Sequence, residues 1–186
     1  VDIQLNHEPT MDELNGFDHV ILAIGAHNMD LPMSVENSNV ISSWDILNGQ
    51  EVSGKCVVLG GGLVGAETAE YLANKGHQVT IVEMMDKIAA GESTTVLPLM
   101  MKDFADHNVK QLVNTKVDHI ENNIVYTAND QIKADTIINA LGSKKNIFDD
   151  SSITIPHVCV GDCSGERTAD IASAIRTAYK AANEIG

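Results

Sequence analysis

Residues 55–83 have the pattern of a strand, a glycine-rich turn, a helix and a second strand, which constrains the fold more than any other feature of the chain. The run KCVVLG (55–60) is continuously apolar and rich in valine, as is typical of a parallel strand buried on both faces. LVGAETAEYLANKG (63–76) has apolar residues at helical spacing, and QVTIVE (78–83) is predicted to be the second strand. A βαβ unit of about 30 residues predicts an α/β fold with a parallel sheet.

The turn itself is Gly60-Gly61-Gly62-Leu63-Val64-Gly65, a G-x-G-x-x-G pattern that leaves a strand and opens a helix. The first glycine permits the tight bend, the second leaves room for a pyrophosphate at the backbone, and the third lets helix and strand pack closely. Free N–H groups and the positive end of the helix dipole then face the anion. A tight turn that holds no ligand is the alternative interpretation.

An acid, Glu83, follows 18 residues after Gly65, at the end of the second strand. A carboxylate at this position accepts hydrogen bonds from a ribose 2′-OH and disfavours a 2′-phosphate, so NAD(H) is predicted in preference to NADP(H). Glu67, in the first turn of the helix, has two interpretations: interaction with the helix dipole, or a place near the nicotinamide ribose. No residue is predicted to be an acid–base catalyst, because cofactor chemistry depends more on positioning than on side-chain proton transfer.

The composition limits the partners and the compartment. A formal net charge of −14 repels phosphate backbones and anionic membrane surfaces, so neither nucleic acid nor a membrane is an expected partner. Three cysteines without C-x-x-C spacing suit a reducing cytoplasm and are too few for a four-cysteine iron–sulfur cluster. The seven histidines show no metal-ligand spacing, so no metal site is predicted. No apolar run approaches the ~18 residues that a membrane span requires.

The rest of the chain gives weaker patterns. The alternating runs KVDHI, NIVYT and QIK, between residues 116 and 133, predict an antiparallel meander. Further strands are predicted at 17–26, 109–113, 135–142 and 155–163, and helices at 42–49, 94–107 and 168–186. The chain starts inside a strand-like VDIQL without an initiator Met, and we expect it to be a piece of a longer protein.

Four segments in the same order resemble the C-terminal half of flavoproteins related to 2,4-dienoyl-CoA reductase and 2-enoate reductase, in the NADH:flavin oxidoreductase (old yellow enzyme-like) family. They are AIGA (23–26), VVLGGGLVGAETAEYLANKGHQVTIVE (57–83), INALG (138–142) and HVCVGDC (157–163). The resemblance implies a Rossmann-like, three-layer nucleotide-binding domain with a β-meander, inserted in a truncated second Rossmann-like (FAD) domain. Residues 51–145 are expected to form the NAD(H)-binding domain, and residues 1–50 and 146–186 a partial FAD-domain remnant.

The resemblance also assigns residues outside the glycine-rich turn. Gly25 ends the strand from which the chain crosses to the NAD(H) domain, and Ala140 and Gly142 belong to the crossing back. Gly161 and Asp162 match a Gly-Asp pair whose carboxylate binds the ribityl chain of FAD, with a helix or turn cap as the alternative for Asp162. The C-terminal helix is expected to point its N-terminus, near residue 168, toward the flavin ring.

The cofactor expectations follow from what the sequence contains. A complete FAD domain has its own earlier G-x-G-x-x-G, and this sequence has none. We therefore expect NAD(H) binding to be intact and stable FAD binding to be lost. The family's N-terminal (β/α)8 barrel, which carries FMN, a 4Fe–4S cluster and the substrate pocket, is also absent. Missing strands are expected to leave apolar surface exposed, which favours dimers or aggregation.

The resemblance implies an NADH-binding electron-input part of an enoate or dienoate reductase, itself inactive, that passes a hydride from NADH to FAD. Electrons would continue through the iron–sulfur centre to FMN and an activated C=C bond. A steroid or bile-acid enone reductase, an NADH oxidase and a ferredoxin-type reductase remain alternatives. Another is a structural ADP-holding module without hydride transfer. A disulfide reductase is disfavoured because the chain lacks a redox-active cysteine pair.

Overall fold

The structure, a computed structural model, describes residues 1–91, 93–165 and 171–185. The chain forms two compact units: unit 1 consists of Val1–His27 and Ser143–Gly186, and unit 2 of Asn28–Gly142. In chain order the elements are α1 (Met11–Leu14), β1 (Val20–Leu22), β2 (Ala26–Asn28), β3 (Val35–Glu36), β4 (Val40–Ser42), α2 (Ser43–Leu47), β5 (Lys55–Leu59), α3 (Leu63–Asn74), β6 (Gln78–Val82), α4 (Leu97–Asp106), β7 (Lys110–Leu112), β8 (Val117–Glu121), β9 (Ile124–Thr127), β10 (Gln131–Lys133), β11 (Thr136–Asn139), β12 (Ser143–Lys145), β13 (His157–Cys159) and α5 (Ile171–Glu184).

Unit 2 is built on a parallel five-stranded sheet in the order β4–β11–β5–β6–β7. Successive side chains of a strand point to opposite faces, and β5 uses both faces for the core. Cys56 and Val58 pack with residues of α2, α3 and α4, whereas Val57 and Leu59 pack with the strands on the other side. This double burial explains why the strand is apolar without interruption.

The third layer of unit 2 is the sheet β10–β9–β8–β3. β8, β9 and β10 pair antiparallel, as the sequence predicts, and β3 joins β8 in parallel. Val117, Ile120 and Val125 of this meander are buried against the central sheet. Unit 2 therefore has three layers, with helices, a parallel sheet and a meander, and the predicted fold class is confirmed.

Unit 1 contains the parallel pair β1–β13, a 3₁₀ turn at Gly161–Ser164, and the helices α1 and α5. Val20, Leu22 and Ile153 form its small core. Helix α5 exposes an apolar row at helical spacing, formed by Ile171, Ile175 and Tyr179. Apolar surface is thus exposed, as the sequence predicts, while its effect on oligomerisation stays a prediction.

Two expectations about the first 50 residues differ from the structure. Residues 28–50, predicted to belong with the chain ends, lie in unit 2 because β4 pairs with β11 along the central sheet. The strand-like VDIQL (1–5) forms no strand, since no strand of the described residues pairs with it, and its apolar side chains are exposed. Which nucleotide each unit holds stays a prediction.

Candidate nucleotide-binding site

The glycine-rich turn begins where β5 ends, at the carboxyl edge of the parallel sheet. Gly60 has φ +97°, a left-handed conformation that other residues rarely adopt, and its N–H bonds the Val82 carbonyl at 2.9 Å. A Cβ at Gly60 would stand 2.5 Å from the carbonyl oxygen of Ala140. The turn therefore requires glycine for both its bend and its close approach to the chain after β11.

Gly65 brings helix α3 against this turn. A Cβ at Gly65 would stand 2.0 Å from the carbonyl oxygen of Gly60 and 3.2 Å from the Cβ of Ala140. Helix and turn could not approach so closely with any larger residue. The role that the sequence suggests for the last glycine of the pattern, close packing of helix and strand, is confirmed.

Gly62 is the N-cap of α3 and has open space in front of it. Among the described residues, no atom other than those of Gly62 and its chain neighbours lies within 4 Å of the position of its missing Cβ. The Gly62 carbonyl accepts the first hydrogen bond of the helix, from the Ala66 N–H at 2.9 Å. The N–H groups of Leu63, Val64 and Gly65 belong to the first turn, where a helix offers donors to an external acceptor. An uncovered backbone with free donors and a positive dipole end fits a pyrophosphate.

Glu83 follows β6 and reaches the same turn. Its side chain is buried, with only 8% exposed. Oε2 accepts a hydrogen bond from the Gly61 N–H at 2.6 Å, and Oε1 accepts one from the Met85 N–H at 2.7 Å. Each oxygen keeps a second lone pair. The carboxylate is thus held rigidly beside the turn and still able to accept hydrogen bonds, while its predicted contact with a ribose stays a prediction.

A segment that the sequence analysis overlooked closes over Gly61. The Ala89 N–H donates to the Gly61 carbonyl at 2.7 Å, and a Cβ at Gly61 would stand 2.4 Å from Cδ1 of Ile88. Ala89 has φ +51°, which is unusual for alanine. The apolar pair Ile88-Ala89, directly after the charged pair Asp86-Lys87, was the only signal in the sequence for this contact.

Glu67 lies exposed on the first turns of α3. Its negative charge raises the pKa of Glu70, one turn along the helix. The burial of Glu70 and the neighbouring Asp103 are larger causes of that raised pKa. The first turn of α3 contains no acidic residue, so the predicted first-turn interaction of Glu67 with the helix dipole was wrong, because that effect falls off beyond the first turn. A place near a nicotinamide ribose stays a prediction.

The chain after β11 is held by a buried asparagine that the sequence analysis did not select. Asn139 is 7% exposed; its Nδ2 donates to the Met29 carbonyl at 2.6 Å, and its Oδ1 accepts from the Leu141 N–H at 3.2 Å. Gly142, with φ +122°, accepts a hydrogen bond from the Met29 N–H at 2.9 Å. The signal for this site was one polar residue in the apolar run TIINAL.

The residues predicted for flavin contact lie in unit 1, at the carboxyl edge of the β1–β13 pair. Leu22 is the partner of Cys159 in the register, so Gly25 and Gly161 follow the two strands at the same edge. Both glycines have positive φ, and the Gly161 N–H donates to Oγ1 of Thr177 on α5 at 2.8 Å. Asp162 belongs to the 3₁₀ turn. Residue 168, where the C-terminal helix was predicted to start, lies outside the described residues.

Within residues 1–91, 93–165 and 171–185, no group of three or more His, Cys, Asp or Glu side chains is arranged to hold a metal ion. In the same ranges, no helix has the length and apolar character to cross a membrane.

The profile of the pyridine nucleotide-disulphide oxidoreductase family matches residues 3–181. Bilirubin reductase of Mediterraneibacter gnavus is 44% identical over 177 residues, which cover 90% of this chain and 28% of that protein. Cinnamate reductase of Clostridium sporogenes is 30% identical over 201 residues, covering 100% of this chain and 29% of that protein. The solved complex of a 2-naphthoyl-CoA reductase with 2-naphthoyl-CoA has a TM-score of 0.81 and 26% identity, over 95% of this chain and 28% of that one. The chain thus spans less than a third of the length of these relatives.

Proposed function

Because the chain belongs to the pyridine nucleotide-disulphide oxidoreductase family, we propose that unit 2 binds NADH and presents it for hydride transfer to a flavin. The observation that carries this proposal is the 2.6 Å hydrogen bond between Gly61 and the buried carboxylate of Glu83. It supports the proposal because it holds a carboxylate, which would accept ribose hydroxyls, beside the open backbone at Gly62, which would bind the pyrophosphate.

The roles of this chain's residues follow from their chemistry. The first-turn N–H groups of α3 would bind the pyrophosphate, which a protein of net charge −14 can hold only through such local donors. Glu83 would accept the 2′-OH of the adenosine ribose through its remaining lone pairs. A 2′-phosphate at the same place would bring two like charges together, so NADH is favoured over NADPH. When bound, NADH supplies the hydride; the protein supplies position and orientation.

At a finer level, we propose that the chain is the electron-input part of a flavin-dependent enoate or dienoate reductase. Three proteins that it resembles are named for the reduction of bilirubin, cinnamate and 2-naphthoyl-CoA, which are conjugated, unsaturated compounds. Gly161 and Asp162 are proposed to contact the ribityl chain of FAD. FMN and a 4Fe–4S cluster would be held by parts of a longer protein that this chain does not include.

The test is calorimetric titration of the chain with NADH, NADPH and ADP. We expect micromolar affinity for NADH, about −8 kcal/mol, and clearly weaker binding of ADP and NADPH. Equal affinity for ADP and NADH would favour the alternative, a structural holder of ADP that makes no use of the nicotinamide. A chain that binds none of the three nucleotides would overturn the proposal.

The variant Glu83→Ala examines the ribose contact, with Glu83→Gln as its matched control. Both lose the negative charge, but the glutamine amide keeps one carbonyl oxygen for the Gly61 N–H. If Glu83 opposes the 2′-phosphate by its charge, both variants narrow the preference for NADH over NADPH. A preference that stays at the wild-type value in both variants would remove Glu83 from the proposed site.

A further inference from the structure

Among the described residues, two buried side-chain polar atoms have no hydrogen-bond partner: Oδ1 of Asn28 and Oγ of Ser43. A buried polar atom without a partner costs about 1–3 kcal/mol, so such an atom in a folded protein requires an explanation. Both residues lie where β4 and β11 end, since Ser43 follows Ser42, the register partner of Asn139. Unsatisfied polar groups are therefore found at the same sheet edge as the glycine-rich turn.

The unpaired atom of Asn28 is an acceptor. The amide of this side chain contacts the carbonyl oxygen of Asn139 at 3.4 Å, and only its nitrogen can donate there. The other atom of the amide is consequently the carbonyl oxygen, and turning the amide over would place two oxygens against each other. A ligand that satisfies Asn28 must bring an N–H or O–H donor.

The backbone next to Asn28 is fixed to the end of β11. The Met29 carbonyl accepts from Asn139 Nδ2 at 2.6 Å, and the Met29 N–H donates to Gly142 at 2.9 Å. Asn28 is therefore held on the chain that continues through Ala140, whose carbonyl oxygen lies against Gly60. The free acceptor belongs to the same rigid edge as the proposed pyrophosphate site.

The strand order indicates which part of a dinucleotide would reach Asn28. Glu83 follows β6, the glycine-rich turn follows β5, and Asn28 contacts the end of β11, in the sheet order β11–β5–β6. Neighbouring strands are about 4.8 Å apart, so these features follow one another along the edge. With the adenosine ribose at Glu83 and the pyrophosphate at the turn, the second nucleoside extends toward β11.

We propose that Oδ1 of Asn28 accepts a hydrogen bond from the carboxamide N–H of the nicotinamide, which makes Asn28 a specificity-determining residue of the site. The inference rests on the proposed function. A site with a buried acceptor selects strongly for a ligand that carries the matching donor, because the analogue without it leaves the acceptor unpaired. The adenosine half plays no part in this contact.

The experiment compares three ligands: NADH, its reduced 3-acetylpyridine analogue, which has no carboxamide N–H, and ADP. Affinities are measured by calorimetry on the wild type and on Asn28→Leu. We expect the wild type to prefer NADH over the analogue by about tenfold, the scale of one neutral hydrogen bond. Asn28→Leu should bind both reduced dinucleotides equally and ADP as the wild type does.

Asn39→Leu is the matched control. Asn39 donates its amide to the Asp135 carbonyl, also at 3.4 Å, but at the amino end of β11. This variant should keep the preference for NADH. Melting curves establish that each variant is folded, and Asn28→Ser, which also removes the acceptor carbonyl, replaces Asn28→Leu if leucine prevents folding.

The outcomes separate this inference from the proposed function. A wild-type preference for NADH that persists in the Asn28 variant overturns the inference, as does a wild type that binds both dinucleotides equally. Loss of NADH and analogue affinity to the same extent, with ADP unchanged, would assign the acceptor to a ribose hydroxyl and also overturn the carboxamide contact. A wild type that binds neither ADP nor NADH contradicts the proposed function itself.

Discussion

Asp103 on α4 acts on the carboxyl group of Glu70 on α3 and raises its pKa. Two neighbouring carboxyl groups repel each other when both are ionised, which favours the protonated form of one of them. Burial is the larger cause of the raised pKa of Glu70, and the neighbouring Asp103 raises it further. The contact between these two helices therefore depends on pH.

Glu70→Gln is expected to stabilise unit 2 at neutral pH. Since the folded-state pKa of Glu70 is raised, its favourable contribution is present below the ordinary value of 4.5 and is lost as pH rises through the folded pKa. Glutamine donates to Asp103 at any pH. After allowance for solvent screening, the gain in free energy of unfolding is on the order of 0.5 kcal/mol at pH 7. Urea unfolding at neutral pH and at about pH 4.5 measures this gain. A gain of the same size at both pH values would contradict the raised pKa of Glu70.

Gly65→Ala is expected to destabilise unit 2. Alanine favours a helix interior by about 1 kcal/mol, but its Cβ would stand 2.0 Å from the Gly60 carbonyl oxygen and force α3 away from the turn. Overpacking of this kind costs about 1–3 kcal/mol, and we expect net destabilisation of that order because the obstacle is backbone. Thermal unfolding provides the measurement. A melting temperature at or above that of the wild type would show that the helix can shift freely.

Gly62→Ala should separate stability from binding. Gly62 has φ −65°, which alanine adopts, and in the described part of the chain no atom beyond its chain neighbours lies within 4 Å of the new methyl group. The free energy of unfolding should change by less than about 1 kcal/mol, the scale of an N-cap substitution. The methyl group would nevertheless occupy the space proposed for the pyrophosphate, and NADH and ADP affinities should fall about tenfold or more. Full retention of both affinities would place the anion elsewhere.

His157, at the start of β13, should make unit 1 more stable in mild acid. Its pKa is raised by the hydrogen bond to the Ile155 carbonyl at 3.0 Å and by Asp150, 3.2 Å from Nε2. The stabilisation is complete below the unfolded-state pKa of about 6.5 and is lost as pH rises through the folded-state value. The melting temperature of the wild type minus that of His157→Gln should decrease between about pH 5.5 and pH 8. If the difference in melting temperature between the wild type and His157→Gln stays constant or grows across this pH range, the protonated form of His157 is not the one that stabilises unit 1.

The sequence predicts best what local periodicity determines. The central strand and helix were expected at 55–60 and 63–76, and they are Lys55–Leu59 and Leu63–Asn74. Three glycine roles, a bend, an open backbone and close packing, also followed from the motif, because each depends on a few adjacent residues. Glu83 follows the second strand, as expected, and lies beside the turn because parallel strands end at a common edge, while its ribose contact stays a prediction.

Features that depend on contacts between residues far apart in the sequence could not be predicted from local periodicity. The domain boundary near residue 50 was wrong because β4 joins the sheet through β11, a strand that occurs much later in the sequence. The amide contacts of Asn28 and Asn139 arise from the same distant association. Ala89 covers Gly61 in a left-handed backbone conformation that alanine rarely adopts, so the residue type gives no indication of this conformation. Such features follow from the packed structure rather than from local propensity.

The division of unit 1 between the two ends of the chain has a consequence for biosynthesis. Strand β1 leaves the ribosome before any of unit 2 exists, and its partner β13 leaves only after unit 2 is complete. Pairing them in an unfolded chain requires closure of a loop of more than one hundred residues. Once unit 2 is folded, the hydrogen bond from Met29 to Gly142 keeps its two ends together. The entropic cost of joining β1 to β13 is then largely removed, so unit 2 acts as an internal template for the assembly of unit 1.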